Sequence, residues 1–308
     1  MQGEIFKQAG PYANLRTDTG FKHVFCDRQN KEVLKTMLNT FLPVDKKIRD
    51  FEYADREVEG FTPEGKGVHM DLRCVDEQGC DFIVEMQNYK EEAFFKRCLL
   101  YCARLYSSKL QVGKPYKDLM PVYLVAFMTI PFEEKEFNIQ EDGISCYRFS
   151  NIYSGKHTVD DISIIFVQLY KVKHSLDECT TDQERYMYYL WNMCNMSECP
   201  EAAKGGHCEN LFRSSEIAEF DNEKKLRYYD EMRTEMDYMV QVETYYKHGK
   251  AEGLAEGRAE GRAKGLDEGA IIAKRNIAND MLKRGYDIVS VSEITGLSAE
   301  EIGSLSIV

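Results

Sequence analysis

The chain of 308 residues is 43% hydrophobic, which is enough to bury one sizeable core with residues left for a second unit. It contains no run of about 18 apolar residues and its N-terminus lacks a basic-then-apolar leader, so we expect a cytoplasmic protein without disulfides or a membrane span. The net charge of −12 arises in residues 116–308, which carry 22 Lys and Arg against 34 Asp and Glu; residues 1–115 carry 18 of each sign and can still meet a polyanion.

Apolar spacing predicts the first elements in chain order. Helical spacing runs through residues 18–42 and returns at residues 90–110. Between these helices, strand patterns occupy residues 47–59, 67–76 and 80–87. The first half of the chain therefore begins with a helix, three strands and a second helix.

Residues 121–130 form a short unbroken apolar run, which is typical of a strand buried on both faces. Weaker strand patterns follow at residues 144–149 and 162–170, and the pattern is helical from residue 181 onward. This order predicts an α/β sandwich in which the first strands form a meander and helices cover both faces of the sheet.

The two central strands are joined by the turn D-E-Q-G, which ends at Gly79. A three-residue loop with this glycine in the left-handed conformation would place Asp71 opposite Glu85, with their Cβ atoms about 5 Å apart. Side-chain alternation then puts Gln87 on the same face. A two-residue turn would instead shift the pairing by one and set Asp71 across from Val84, as a solvated residue on the other face.

Two carboxylates that face each other repel, and a bound cation is the usual remedy. Mg²⁺ accepts one or two carboxylates, keeps several waters and completes its shell with phosphate oxygens. An ion held there polarises a phosphorus centre and lowers the pKa of a coordinated water. The pattern of Asp71, Glu85 and Gln87 therefore predicts a site for metal-assisted phosphodiester hydrolysis.

Six segments resemble, in order, the Rpn family of recombination-promoting nucleases, which are also described as transposases of the PD-(D/E)XK superfamily. The segments are DTGFKHVF, LNTFL, MDLRC, FIVEMQ, RCLLYCARLY and PVYLVAFM. The resemblance runs from residue 18 to about residue 170, roughly half of the chain. It implies a restriction-endonuclease-like core, with a central mixed sheet flanked by helices, and DNA cleavage that depends on Mg²⁺, Mn²⁺ or Ca²⁺.

The resemblance also implies roles for individual residues. It places the metal on Asp71, Glu85 and the backbone carbonyl of Met86, and it places Gln87 where the superfamily usually has lysine. Glutamine offers a dipole in place of a charge, so we expect Gln87 to position water or phosphate and catalysis to be slow. We expect Gln87→Lys to retain or raise activity.

Two pairs of residues lie four positions apart on predicted helices and therefore share a helix face. Asp18 with Lys22, and Arg97 with Tyr101, are candidates to support the site or to contact DNA. Structural roles are the alternative: Asp18 as a helix cap, Tyr101 in the core and Arg97 beside a carboxylate.

Glycine recurs every four residues from position 249 to position 269. Each glycine costs a helix up to about 1 kcal/mol relative to alanine, so this segment is marginal unless another helix packs on its small-residue surface. We therefore keep two alternatives, a homo-oligomer formed through residues 249–269 and a flexible charged linker. The two short helices predicted beyond it have the shape of a helix-turn-helix, but their acidic residues favour a protein contact over DNA.

These patterns predict four regions: a nuclease-like domain (1–175), a helical extension (176–246), the glycine repeat (247–270) and a small helical tail (271–308). The leading function is a Mg-dependent DNA endonuclease associated with recombination or mobile elements. One alternative is a catalytically weak or inactive nuclease-fold module that binds DNA or protein. Another is an oligomerising interaction protein that acts through the repeat.

Overall fold

The computed structural model describes residues 10–59, 67–89, 91, 93–110, 115–131 and 143–305. The chain divides into two compact units, Met1–Asp237 and Tyr238–Val308. The α-helices are α1 Asp18–Phe25, α2 Lys31–Phe41, α3 Phe94–Ser108, α4 Asp182–Asn192, α5 His207–Ser215, α6 Asn222–Lys283, α7 Ile288–Thr295 and α8 Ala299–Gly303. The strands are β1 Phe51–Tyr53, β2 Glu57–Val58, β3 Val68–His69, β4 Leu72–Asp76, β5 Asp81–Gln87, β6 Val122–Met128, β7 Ile144–Ser150 and β8 His157–Gln168.

The helical pattern at residues 18–42 folds into two helices, α1 and α2, because side chains cap the chain twice. Thr17, rather than Asp18, caps α1 by accepting a hydrogen bond from the Gly20 N–H. After α1 ends, Asp27 accepts from the Gln29 N–H and starts a short 3₁₀ turn before α2. The expectation that Asp18 caps the helix is therefore wrong, and its side chain remains available for another contact.

Six strands form one mixed sheet in the order β1-β4-β5-β6-β8-β7. The pairs β1–β4 and β4–β5 are antiparallel, as the predicted meander requires, whereas β5, β6 and β8 run parallel. Every residue of β6 is buried, which confirms the interpretation of its apolar run. Strands β2 and β3 form a separate two-stranded sheet, so the strand predicted at residues 67–76 is interrupted between β3 and β4.

Helices cover both faces of the six-stranded sheet. On one face, Ile83 and Leu124 pack in a single core cluster with Cys98 of α3. On the other face, the ring of Phe127 lies 6.1 Å from Phe21 of α1 and 5.3 Å from that of Phe41 in α2. Truncation of a fully buried phenylalanine such as Phe127 to alanine costs about 3–5 kcal/mol. This α/β arrangement is the restriction-endonuclease-like core that the resemblance implied.

The turn between β4 and β5 sets the register of the central strands. Gly79 has a φ of +88°, a conformation that favours glycine, and Asp76 donates its N–H to the Cys80 carbonyl at 3.0 Å. The Asp76 Oδ1 also accepts from the backbone N–H groups of Gln78 and Cys80. These bonds define the three-residue loop predicted from the sequence.

The second unit contains a small core of its own. Ala278, Val291, Leu297 and Ile302 are buried together there. A capping box of Ser298 with Glu301 starts α8, as the Ser-x-x-Glu spacing in the sequence predicts. Helix α6 runs without interruption through residues 247–270, so the glycine repeat is helical.

Two further expectations concern the whole chain. All ten cysteines are free thiols, and six of them are buried. In the part of the chain that the structure describes, no helix combines the length and the apolar character needed to cross a membrane.

Candidate active site at the end of the central hairpin

The candidate site lies where β4 stops pairing with β5. The antiparallel ladder ends at the pair Leu72 and Val84. Two residues earlier, Met70 donates its backbone N–H to the Arg56 carbonyl at 3.0 Å, so the chain has already left the line of β4. Asp71 therefore occupies the bend just beyond the last ladder pair.

Asp71 and Glu85, called the acid pair below, meet across this bend, and each carboxylate accepts a backbone N–H from the opposite segment. The Asp71 N–H donates to Glu85 Oε1 at 3.1 Å, and the Met86 N–H donates to Asp71 Oδ2 at 2.9 Å. The two side chains thus accept hydrogen bonds from backbone N–H groups that have no partner in the β4–β5 ladder. The register predicted from Gly79 is the one found, and the alternative with Asp71 across from Val84 is excluded.

The remaining oxygen of each carboxylate faces a cation beyond hydrogen-bond distance. Asp71 Oδ1 lies 3.6 Å from Lys22 Nζ, and Glu85 Oε2 lies 3.8 Å from Arg97 Nη2. One oxygen of each acid is therefore bound to backbone and the other remains available as a ligand.

The acid pair resists full ionisation. Burial, followed by the nearby charge of Asp71, raises the pKa of Glu85 to about 8; the residue is only 4% exposed. Burial also raises the pKa of Asp71. Two close carboxylates, one of them buried, need either a shared proton or a cation to offset their repulsion.

Arg97 places a positive charge beside Gln87. Its Nη2 donates to Gln87 Oε1 at 2.8 Å, and its Nη1 donates to Glu91, a residue that sequence reasoning missed. The Gln87 amide nitrogen donates to the Tyr89 carbonyl at 2.6 Å. The guanidinium also packs over the Phe94 ring, 4.9 Å from its centroid. Arg97 of α3 therefore places a positive charge beside position 87, where the superfamily usually has lysine.

Tyr101 packs in the core, which is the structural role considered for it. Its ring is 9% exposed and belongs to the core between α3 and the sheet. Burial, followed by the charge of Glu85, raises the pKa of Tyr101 to about 12, so its hydroxyl stays protonated near the acid pair. Arg97 lies 5.9 Å from the Tyr101 ring centroid, which confirms that both residues use the same face of α3.

Asp18 reaches the site through Lys22. The Lys22 Nζ lies 2.8 Å from Asp18 Oδ2, on the same helix, and also approaches Asp71. Burial lowers the pKa of Lys22, but the hydrogen bond from Lys22 to Asp18 and the charge of Asp18 outweigh this effect and leave the pKa raised. Asp18 therefore holds a charged lysine next to the acid pair.

The first turns of α6 fix the start of α1, and with it Lys22. Glu235 Oε1 accepts from the backbone N–H of Thr19 at 3.0 Å and from its hydroxyl at 2.7 Å. The Tyr228 hydroxyl accepts from the Asn14 N–H at 2.9 Å. These residues lie more than 200 positions apart in the sequence, so no local pattern could have predicted the contacts.

The acid pair fits a hard divalent cation. Its donors are the two available carboxylate oxygens and the Met86 carbonyl, which points to the same side of β5 as the Met86 N–H. Such a set of oxygen ligands suits Mg²⁺ and leaves coordination positions for water and phosphate. Among the residues that the structure describes, no group of three or more His, Cys, Asp and Glu side chains is gathered to hold a metal, so the fit rests on two acids.

Two family models match the chain. The model described as PD-(D/E)XK nuclease family transposase matches residues 15–245, about three quarters of the sequence, and includes the acid pair with the cations around it. The model described as Rpn/YhgA-like nuclease family, C-terminal HTH domain matches residues 272–306. No curated protein and no solved structure matches the chain.

Proposed function

Because the chain belongs to the Rpn family of PD-(D/E)XK nuclease family transposases, we propose that it is a metal-dependent endonuclease that hydrolyses DNA phosphodiester bonds at the acid pair, in recombination or in mobile-element movement. One observation carries this proposal. Asp71 and Glu85 each bind a backbone N–H of the opposite segment, which fixes both carboxylates and leaves one oxygen of each available.

Asp71, Glu85 and the Met86 carbonyl would hold Mg²⁺ or Mn²⁺. A bound ion of this kind lowers the pKa of its coordinated water and polarises the phosphate. Both carboxylates must be ionised to act as ligands, and the raised pKa of Glu85 means that binding near neutral pH releases a proton. Affinity for the ion should therefore rise with pH.

Gln87 and Arg97 act together in this proposal. The Gln87 carbonyl oxygen holds the guanidinium of Arg97 at the edge of the acid pair. From there the guanidinium stabilises negative charge that develops on the phosphate during hydrolysis, which is the task usually given to lysine at position 87. Lys22 offers a second positive charge on the Asp71 side, oriented by Asp18.

A second candidate is a nuclease-fold module that binds DNA but cleaves it weakly or not at all. One observation favours it: both ends of the Gln87 amide are already bonded, to Arg97 and to Tyr89. An amide held in this way is fixed in orientation and keeps only its second N–H and second lone pair to orient an attacking water. The two candidates share the binding step and differ only in the rate of hydrolysis.

Nicking of supercoiled plasmid in Mg²⁺, Mn²⁺ or EDTA separates the candidates. We expect the wild-type chain to nick DNA with either ion and not in EDTA, and we expect Glu85→Gln to be inactive. Glu52→Gln is the matched control, because Glu52 is an exposed acid on β1 that pairs with Lys31. DNA binding without nicking under every condition supports the module, and a Glu85→Gln chain that nicks as fast as wild type contradicts the assigned site.

A further inference from the structure

We infer that a groove between α1 and the first turns of α6 binds the sugar–phosphate backbone of DNA beside the acid pair, with Arg56 as its principal phosphate contact. The inference rests on the proposed nuclease function, since DNA is the ligand that would bring a phosphate to the acid pair. Arg56 was not singled out from the sequence, where it lies within the strand predicted at residues 47–59 without a distinguishing pattern.

The groove lies beside Asp71, although neither member of the acid pair lines it. It encloses about 600 Å³ and its lining includes Lys22 of α1, Arg227 of α6 and Arg56. Two of these cations touch Asp71: Lys22 Nζ lies 3.6 Å from its carboxylate, and Arg56 Nη1 donates to its backbone carbonyl at 3.3 Å. A DNA strand whose scissile phosphate lies at the acid pair can therefore continue into the groove.

Arg56 differs from the other cations of the groove in what it contacts. Lys224 pairs with Asp27 at 2.8 Å, and Arg227 pairs with Glu223 at 3.2 Å. Within the described residues, the side-chain hydrogen bond of Arg56 goes to a neutral carbonyl, and its side chain is exposed. Most of its five N–H donors thus remain open to an anion.

Lys22 and Arg56 lie close enough for the charge of Arg56 to lower the pKa of Lys22. Both cations lie beside Asp71, Arg56 at its carbonyl and Lys22 at its carboxylate, where Lys22 also pairs with Asp18. A phosphate is the anion that a guanidinium and an ammonium bind best together, the first through paired N–H groups and the second as a point charge. This pair would therefore bind the phosphate next to the scissile one.

The lining holds four acids beside four cations, and three of the acids, Asp27, Asp221 and Glu223, already bind groups of the protein. Asp221 Oδ1 accepts from the Lys224 N–H at 2.7 Å, at the start of α6. Glu223 and Arg227 form an exposed i,i+4 pair, a kind that contributes little to stability and that an incoming phosphate can displace. The lining of the groove is thus neutral in a chain of net charge −12. The hydrogen-bond donors that remain open there include those of the Arg56 guanidinium.

Fluorescence anisotropy with a short labelled DNA duplex tests this inference in the full-length Glu85→Gln background, where the duplex stays intact. We expect Arg56→Gln to weaken binding about tenfold and to lower the slope of log affinity against log salt by about 1, the signature of one lost phosphate contact. Arg227→Gln should also weaken DNA binding, by a smaller factor than Arg56→Gln. Arg233→Gln is the control: Arg233 is exposed on α6 and pairs with Asp230, but it does not line the groove.

Arg56→Lys distinguishes loss of charge from disturbance of Asp71. Lysine keeps the positive charge but lacks the guanidinium that donates to the Asp71 carbonyl. We expect it to restore most of the salt slope. An Arg56→Gln chain that binds with unchanged affinity and slope overturns the groove, whatever the nicking assay shows. DNA binding that depends on Arg56, in a wild-type chain that cleaves nothing in any metal, overturns the nuclease proposal and leaves the groove as a DNA-binding surface.

Discussion

The end of the β4–β5 hairpin and the glycine repeat of α6 differ in whether neighbouring residues offset a local energetic cost. At the hairpin the cost is repulsion between two carboxylates, and in the repeat it is the low helix propensity of glycine. At the hairpin, two backbone N–H groups, Lys22 and Arg97 surround the half-buried carboxylate of Asp71 and the buried carboxylate of Glu85. In the repeat, a Cβ added at any of the six glycines from 249 to 269 would meet nothing within 4 Å in the described chain. Residues distant in the sequence therefore offset the charge of the acid pair, whereas the glycines of the repeat have no such neighbours in the described chain.

This difference determines what substitutions should do in each region. Changes at the hairpin end remove or unbalance charges that have several partners, so their effects should be large and coupled. Changes in the repeat touch an exposed helix surface, so their effects within one chain should be small and additive.

The largest effect should come from Asp71→Asn, which removes a ligand charge without changing side-chain volume. We expect DNA cleavage in Mg²⁺ to fall by about a thousandfold or more, because metal-ion catalysis supplies several kcal/mol of transition-state stabilisation. The melting temperature should stay equal or rise, since the repulsion with Glu85 disappears. Asp160→Asn, on the exposed part of β8, is the control and should cleave normally. Cleavage by Asp71→Asn within tenfold of wild type would remove Asp71 from the site.

The next effect concerns Gln87, for which the structure revises the expectation drawn from the sequence. Lysine there loses the oxygen that accepts from Arg97 and places an ammonium against the guanidinium. We expect Gln87→Lys alone to lower cleavage by about tenfold, and the double change Gln87→Lys with Arg97→Gln to recover most of it, because one cation again faces Glu85. The readout is the coupling in a double-mutant cycle of cleavage rates.

Lys96→Ala controls for damage to α3, because Lys96 is exposed on the same helix, next to Arg97. Strictly additive effects of the two substitutions would show that Gln87 and Arg97 do not work as a unit. Activity of Gln87→Lys above wild type would restore the original expectation.

The pH dependence of stability follows from the raised pKa of Glu85. The unfolded chain loses this proton near pH 4.5, whereas the folded chain keeps it to about pH 8. Stability from Glu85 is therefore fully present below about pH 4.5 and is lost as pH rises towards 8. In EDTA we expect wild type to lose on the order of 5 kcal/mol of unfolding free energy over this window relative to Glu85→Gln. Parallel pH profiles of the two proteins in urea titrations would contradict it.

Mg²⁺ should reverse this loss, since an ion that binds only the folded chain stabilises it by mass action. We expect millimolar Mg²⁺ at about pH 8 to raise the melting temperature of wild type by a few degrees. Glu85→Gln should show no such rise, because the neutral amide removes a ligand charge. An equal rise in both proteins would place the bound ion elsewhere.

The sequence was sufficient where the determinants were local. Gly79 in a short turn predicted the register that sets Asp71 against Glu85, and the box of Ser298 with Glu301 predicted the start of α8. Periodicity also located α3 and the buried strand β6. In each case the residues that determine the element are close together in the sequence, so backbone geometry restricts the structures that they can form.

The sequence was insufficient where distant segments decide. Thr17, and not Asp18, caps α1. Both residue types are good helix caps, so the sequence alone does not determine which of two neighbours takes this position. The interruption before Asp71 depends on the bond from Met70 to the Arg56 carbonyl. Glu235 reaches Thr19 across more than 200 residues, which no spacing rule can anticipate.

The smallest effects are expected in the repeat, where helix propensity and self-association can be separated. Alanine at positions 253, 257 and 261 should raise helix stability by up to about 1 kcal/mol per site, because the added methyl groups meet nothing in the described chain. Leucine at the same three glycines should also raise intrinsic helicity, so any loss of assembly on this change must come from contact with another molecule.

If a second copy packs along the glycines, light scattering should show wild type above the mass of one chain, and the leucine variant should fall to that mass because isobutyl groups hold the helices apart. The alanine variant should lie between them, since a methyl group is a smaller obstacle. A wild-type chain that is monomeric at about tens of micromolar, where weak protein contacts are commonly visible, would leave residues 249–269 as a charged linker. An unchanged mass in the leucine variant would assign the assembly to a different surface.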